Sequence, residues 1–183
     1  MDNTLEDLKI EDWAYLAGII DGEGCIQSEG FNGRHKGMPR LMVSQKDVRL
    51  MDYLQKTFGG KVSLYKQFNT GEPIYRWKST NRDHLIFILS NCKKFLVVKK
   101  EQAEIALLMV QKFGKLNCHT PEHIKAEAFK FRKFGHEELK RLKSLETSKR
   151  VGLSKDGMRC SELYSMEKVQ SNPEMRLPLN FYN

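Results

Sequence analysis

The sequence predicts an α+β protein: a four-stranded antiparallel sheet covered by helices on one face, with a helical appendage after it. Three observations carry this. Apolar periodicity runs in the order helix, hairpin, helix, hairpin, helices. Each strand alternates between an apolar and a polar face, the pattern of a sheet packed on one side only. The chain has 183 residues, 40% of them hydrophobic, enough for one packed domain or one domain with a small extension.

Residues 1–10 read as a polar lead-in. Glu11 to about Gly22 form the first helix, with Trp13, Leu16 and Ile20 at helical spacing and so directed to the core. Cys25–Gln45 hold a strand, a loop and a second strand. The loop from Gly30 to Pro39 carries three glycines with Arg34, His35 and Lys36, a basic tip. In Arg40–Gln45, Leu41 and Val43 point inward while Arg40, Met42 and Ser44 point outward. Asp47 is placed to N-cap a helix from Val48 to Phe58, which Gly59-Gly60 ends. In the second hairpin Val62, Leu64 and Lys66 alternate with Lys61, Ser63, Tyr65 and Gln67. The turn falls at Asn69–Pro73, and on the return strand Tyr75 and Trp77 oppose Arg76 and Lys78. Helices follow at Arg82–Cys92 and Lys100–Phe113, joined by a short extended link from Phe95 to Lys99. Residues 115–150 read as a basic appendage with helices at Pro121–Phe134 and His136–Leu145, separated by Gly135. The expected divisions are thus a core at 1–114, the appendage at 115–150, and a tail at 151–183 to which the sequence assigns no role.

A net charge of +8 and a pI near 9.3 favour a polyanionic partner, or a basic surface kept for solubility. The outward sheet face, with Arg34 in the adjoining loop, carries Gln27, Glu29, Lys36, Arg40, Lys61, Ser63, Tyr65, Gln67, Arg76 and Lys78. Those side chains suit base edges and phosphates in a DNA groove; a plain solvated face has a similar composition. The four cysteines, Cys25, Cys92, Cys118 and Cys160, contain no CxxC pair. They form neither a zinc nor a disulfide framework and read as reduced, hence intracellular. Cys118-His119 lacks a second pair to complete a metal site. No apolar run approaches the ~18 residues of a membrane span, and the acidic N-terminus (Asp2, Glu6, Asp7) has no signal-peptide pattern.

The most informative stretch is Leu16-Ala17-Gly18-Ile19-Ile20-Asp21-Gly22-Glu23-Gly24. It sets two carboxylates at the C-terminal end of an apolar helix, where the helix dipole disfavours anions. A bound cation is the simplest compensation; solvated acids beside a glycine C-cap are the bland alternative. Gly18 and Gly22, four apart, lie on one helix face that a second backbone can approach closely.

This nonapeptide resembles the signature of the LAGLIDADG homing endonucleases, differing at Ile19, Gly22 and Glu23. The resemblance extends over roughly residues 8–113 in the order αββαββα, and it implies a saddle-shaped sheet. Val43-Ser44-Gln45-Lys46 and Phe95-Leu96-Val97-Val98-Lys99 are similar to the other two segments that line the active site in single-motif members. By that resemblance Glu23 binds the divalent metal, Mg²⁺ or Mn²⁺. Gln45 organises water, Lys99 supplies charge near the scissile phosphate, and Arg49 completes a basic pocket. Asp21 is a structural acid, capping or bracing the helix end. Because the family site needs two signature helices, a chain with one copy is expected to form a homodimer with Gly18 and Gly22 at the seam. A near-palindromic DNA target follows. At roughly 30 Å per strand of about nine residues, each protomer covers about nine base pairs and the whole site about twenty. The resemblance further implies cleavage across the minor groove with short 3′ overhangs.

The function implied is that of a metal-dependent, site-specific double-strand DNA endonuclease of the intron-homing type. Two alternatives share the core. One is an RNA maturase that binds intron RNA and assists splicing; the other is a DNA-binding regulator on an inactive nuclease core. The retained Glu23, Gln45 and Lys99 argue against the regulator. An organellar, bacterial, phage or archaeal host is not distinguished by the sequence.

Overall fold

A computed structural model of the chain describes residues 8–31, 37–66, 71–79, 81–113 and 116–150, side chains being described to residue 146. The elements are α1 (Ile10–Glu23), β1 (Gly24–Ser28), β2 (Pro39–Gln45), α2 (Val48–Phe58), β3 (Lys61–Lys66), β4 (Pro73–Lys78), α3 (Arg82–Cys92), α4 (Lys100–Gln111) and α5 (Glu122–Arg150). The four strands make one antiparallel sheet in the order β1-β2-β4-β3, the α+β architecture that the alternation predicts.

The register explains the two faces. Ile26 pairs with Leu41 and Val43 with Trp77; all four are at most 1% exposed and form the floor of the core. Successive strand residues point oppositely, so Gln27, Arg40, Arg76, Lys78, Lys61 and Ser63 share the other face. Helices cover only the apolar side. Trp13, Leu16, Ala17 and Ile20 of α1 pack there with Met51, Leu54 and Phe58 of α2. Trp13 meets Phe58 and Phe87 with ring centroids 5.4 and 5.2 Å apart, tilted and edge-on geometries that suit aromatic quadrupoles. The edge strand β3 is less well covered, and Leu64 remains 61% exposed.

Local chemistry sets the element ends. Asp47 caps α2 by accepting from the Arg49 backbone N–H at 2.9 Å, and Asn81 caps α3 through the His84 N–H at 2.9 Å. At the α1–β1 junction Gly24 donates to the carbonyls of Ile19 and Ile20. A Cβ there would stand 2.5 Å from the Ile20 oxygen. Only glycine lets the chain pass from helix to strand in a single residue at this point.

Two expectations are corrected. Residues 122–150 are one helix, not two helices broken at Gly135. Gly135 is where α5 crosses α4: a Cβ would lie 2.5 Å from the Met109 sulfur. The glycine thus permits close packing rather than a turn. Ala128, Phe131, Leu139 and Leu142 run along the same stripe, and the last three join the core cluster. The Phe95–Lys99 link is also not extended; it curls through turns and bends into α4, for a reason given below.

The start of α5 is tied down by a turn in which Asn117 and Thr120 exchange bonds. Further on, Ser28 and His136 share a hydrogen bond, and Phe31 stands edge-on to Phe129 and His136. Burial, then the Lys140 charge, hold the His136 imidazole below its usual pKa, with Glu137 opposing them. Among the described residues no helix is long and apolar enough to cross a membrane.

Candidate active site

The site grows out of the end of α1. Asp21, one turn past the buried Ala17, turns its carboxylate to the start of α4. One oxygen accepts from the Val97 and Val98 backbone N–H groups at 2.7 and 3.2 Å, and the other from Lys99 N–H at 2.9 Å. The first N–H groups of a helix have no partner of their own, and the positive end of the helix dipole lies there. Asp21 sits at that positive end and takes the three N–H groups that lead into α4, those of Val97, Val98 and the N-cap residue Lys99, which is why the link must curl: three successive N–H groups converge on one carboxylate. The bracing acid therefore serves a helix that begins 79 residues later in the chain, at Lys100, rather than its own.

Lys99 is bound into this corner and only 3% exposed. Its ammonium donates to the Asp21 carbonyl at 2.6 Å and lies 3.3 Å from a Glu146 carboxylate oxygen. Glu146 accepts from the Gln102 amide at 3.2 Å through its other oxygen. A buried ammonium is costly unless it is paired and hydrogen-bonded; the carboxylate supplies the pairing and the carbonyl a hydrogen bond.

Glu23 is the last residue of α1 and is exposed. It borders a cavity of about 300 Å³ lined by Gly22 to Cys25 on one side and by Lys99, Gln102, Lys143 and Glu146 on the other. Two of the expected site residues, Glu23 and Lys99, thus face one cavity. Gln45 and Arg49 do not line it. Gln45 is the last residue of β2, where its side-chain oxygen accepts from the Lys46 N–H at 2.8 Å. The ladder that pairs Val43 with Gly24 carries β2 past the α1–β1 junction, so Gln45 stands at the same end of the sheet as Glu23. Arg49, in the first turn of α2, is exposed and holds Asp47 through its Nε at 3.0 and 3.1 Å. The Arg49 guanidinium and backbone N–H pull the Asp47 carboxyl down to about 2.

Gly18 and Gly22 lie on the exposed side of α1, and a Cβ at either would meet nothing within 4 Å. Tyr15, one turn before Gly18 on α1, is 55% exposed. Of the expected DNA-facing residues, Arg34, Lys36 and Gln67 lie outside the described residues. The others lie on or beside the open sheet face, several already held: Arg40 pairs with Glu29. The Arg76 guanidinium stacks 4.4 Å over the Tyr65 ring and donates to Ser44 at 3.2 Å. Stacked and bonded, Arg76 keeps a fixed orientation in the middle of the face.

The sequence marks Lys143 only as one of the basic residues of the appendage, and it does not place Glu146, Cys25 or Gln102 on the cavity. A signal existed for Glu146: it lies one turn after Leu142 on the buried stripe of α5, where a charged residue is out of place unless paired.

The donor chemistry can be tested against a divalent cation. Of the two carboxylates on the cavity, that of Glu146 is bonded to Lys99 and Gln102, leaving the Glu23 carboxylate as the hard oxygen facing solvent at a helix C-terminus. Mg²⁺ keeps several waters and needs few protein ligands, so one such group per chain fits. Among the described residues no three His, Cys, Asp or Glu side chains cluster as a metal cage.

Comparison with known proteins adds to this geometry. Residues 16–106 match the model of the LAGLIDADG endonuclease family. Among solved structures the chain is similar to the homing endonuclease I-CvuI in complex with its target in the presence of 2 mM Ca. That match has 21% identity and a TM-score of 0.56, covering 73% of this chain and 82% of that one. It is also similar to the archaeal intron-encoded homing endonuclease I-Vdi141I complexed with DNA. Here identity is 17% and the TM-score 0.55, covering 88% of this chain and 93% of that one. At such identities the likeness is one of fold. No curated protein matches by sequence.

Proposed function

Because the chain belongs to the LAGLIDADG endonuclease family, we propose that it is a homing-type endonuclease that hydrolyses both strands of a long, near-palindromic DNA site as a homodimer. The observation that carries this reading is the meeting of Glu23 and Lys99 on one cavity, at the edge of a cationic, donor-rich sheet face. Of the two solved structures described above, one is in complex with its target and the other is complexed with DNA.

In this reading the sheet face lies in the DNA groove. Arg40, Lys61, Arg76 and Lys78, with Gln27, Ser63 and Tyr65, contact base edges and phosphates. Arg34, Lys36 and Gln67 extend that surface. Glu23 holds the Mg²⁺ or Mn²⁺ ion; when bound, the ion supplies polarisation of the phosphodiester and an acidified water. Lys99 places fixed positive charge beside the phosphate as negative charge builds on it, and Arg49 adds to that field. Gln45 orients water through its amide. Asp21 fixes Lys99 by holding the backbone around it. The open Gly18–Gly22 face of α1 packs on the same face of a second copy, so that two Glu23 residues come to one place.

The full chain, incubated with a randomised duplex library and Mg²⁺, is expected to yield cleaved molecules sharing a near-palindromic site of about twenty base pairs. EDTA should abolish their formation. Absence of any cleaved species, or cleavage undiminished in EDTA, would contradict the proposal. Tight binding of intron RNA without DNA cleavage would replace it with the maturase role.

A further inference from the structure

The helix α5 lies beyond the family-matched residues 16–106, yet it reaches into the cavity. We propose that Glu146 of α5 is a positioning residue for Lys99, so that α5 completes the catalytic machinery rather than standing beside it as a basic appendage. This deepens the endonuclease reading and rests on it for the role of Lys99.

Lys99 has four rotatable side-chain bonds and a compact point charge, so by itself it would sample many orientations. Here it has one. Its ammonium is drawn between the Asp21 carbonyl, 2.6 Å away, and the Glu146 carboxylate, 3.3 Å away. Each holds what the other leaves free: the carbonyl comes from the end of α1, and the carboxylate approaches from α5. The second Glu146 oxygen takes the Gln102 amide, and Gln102 is itself 4% exposed. The carboxylate is therefore oriented by one partner and orients another. The Lys99 side chain is 4% exposed and that of Glu146 16%. In such partial seclusion the pairing is screened less than a surface ion pair. The packing of Phe131, Leu139 and Leu142 in the main core fixes the helix that delivers Glu146. A charge held at one place before the phosphate arrives costs no reorganisation during reaction.

A paired readout tests this. In the DNA-free full chain, ¹⁵N NMR should detect a Lys99 ζ-ammonium protected from solvent exchange, and Glu146→Ala should remove that protection. On a duplex selected by the wild-type protein, Glu146→Ala should lower the single-turnover cleavage rate by about 10–100-fold, the usual loss when an orienting partner is removed. DNA affinity should change less than about 3-fold, since Glu146 acts through Lys99 rather than on DNA. Glu146→Gln, which keeps the shape and one acceptor, should fall between the two and guards against misfolding of the alanine variant. With Lys99→Ala as background, Glu146→Ala should cost nothing more.

An unprotected ammonium in the wild type, or unchanged cleavage in Glu146→Ala, would overturn the proposal while leaving the nuclease reading intact. Faster cleavage in that variant would show Glu146 to be a competitor for Lys99, and a multiplicative double mutant would show it to act independently; either result overturns the positioning role. A protected ammonium in a chain that cleaves no DNA would retain the contact and refute the endonuclease reading instead.

Discussion

Glu23→Gln is expected to reduce double-strand cleavage by about 10³-fold or more while leaving DNA affinity within a few-fold of wild type. The substitution keeps shape and hydrogen-bonding capacity but removes the negative charge that a hard cation requires. A loss of about 4 kcal/mol of charge stabilisation in the transition state corresponds to that factor. Stability should barely change. Glu23 is exposed at the end of α1, and an anion at a helix C-terminus gains nothing from the dipole; neutralising it removes a small repulsion. Single-turnover cleavage measured beside equilibrium binding and thermal unfolding checks all three. Wild-type cleavage by this variant would remove Glu23 from the mechanism.

Asp21→Ala should behave in the opposite way, failing first in stability. Its carboxylate receives the N–H groups of Val97, Val98 and Lys99. Removing it leaves the three N–H groups that lead into α4 without their acceptor and the Lys99 corner unsupported. Charge-assisted bonds of this kind contribute more than neutral ones, but Val97 and Val98 are themselves exposed, 85% and 55%, and water partly replaces the loss. A cost of about 2–3 kcal/mol follows, or a fall in Tm of roughly 5–10 °C for a chain of this size. Asp21→Asn, which keeps one acceptor oxygen, should lose less. Thermal unfolding of the three proteins decides it, and a Tm for Asp21→Ala within about 1 °C of wild type would contradict the bracing role.

These two acids show how far the sequence could be read. Their position at the end of an apolar helix is an electrostatic anomaly visible without coordinates. For Asp21 the compensation is the N-terminus of α4, not a cation, and that pairing joins residues too far apart in sequence to be inferred from spacing. Glu23 is exposed at the end of α1 and meets no such helix terminus among the described residues, so its carboxylate stays available to a cation. The sheet was legible because strand alternation is a local signal: Leu41 and Val43 against Arg40 and Met42, Tyr75 and Trp77 against Arg76 and Lys78. Gly135 misled because glycine ends helices more often than it admits a methionine from a neighbouring one, and only the crossing of α4 and α5 distinguishes the two. The contribution of Glu146 was hidden for the same reason. Its partner Lys99 is recognisable by resemblance, but the contact between them depends on how α5 packs.

The proposed endonuclease activity requires two copies of one chain to share a cleavage site along the Gly18–Gly22 face of α1. Mass photometry of the full chain on a duplex that it cleaves measures this directly. Two protomers per duplex, with one break in each strand, is the predicted result. A single protomer that cuts both strands would contradict it.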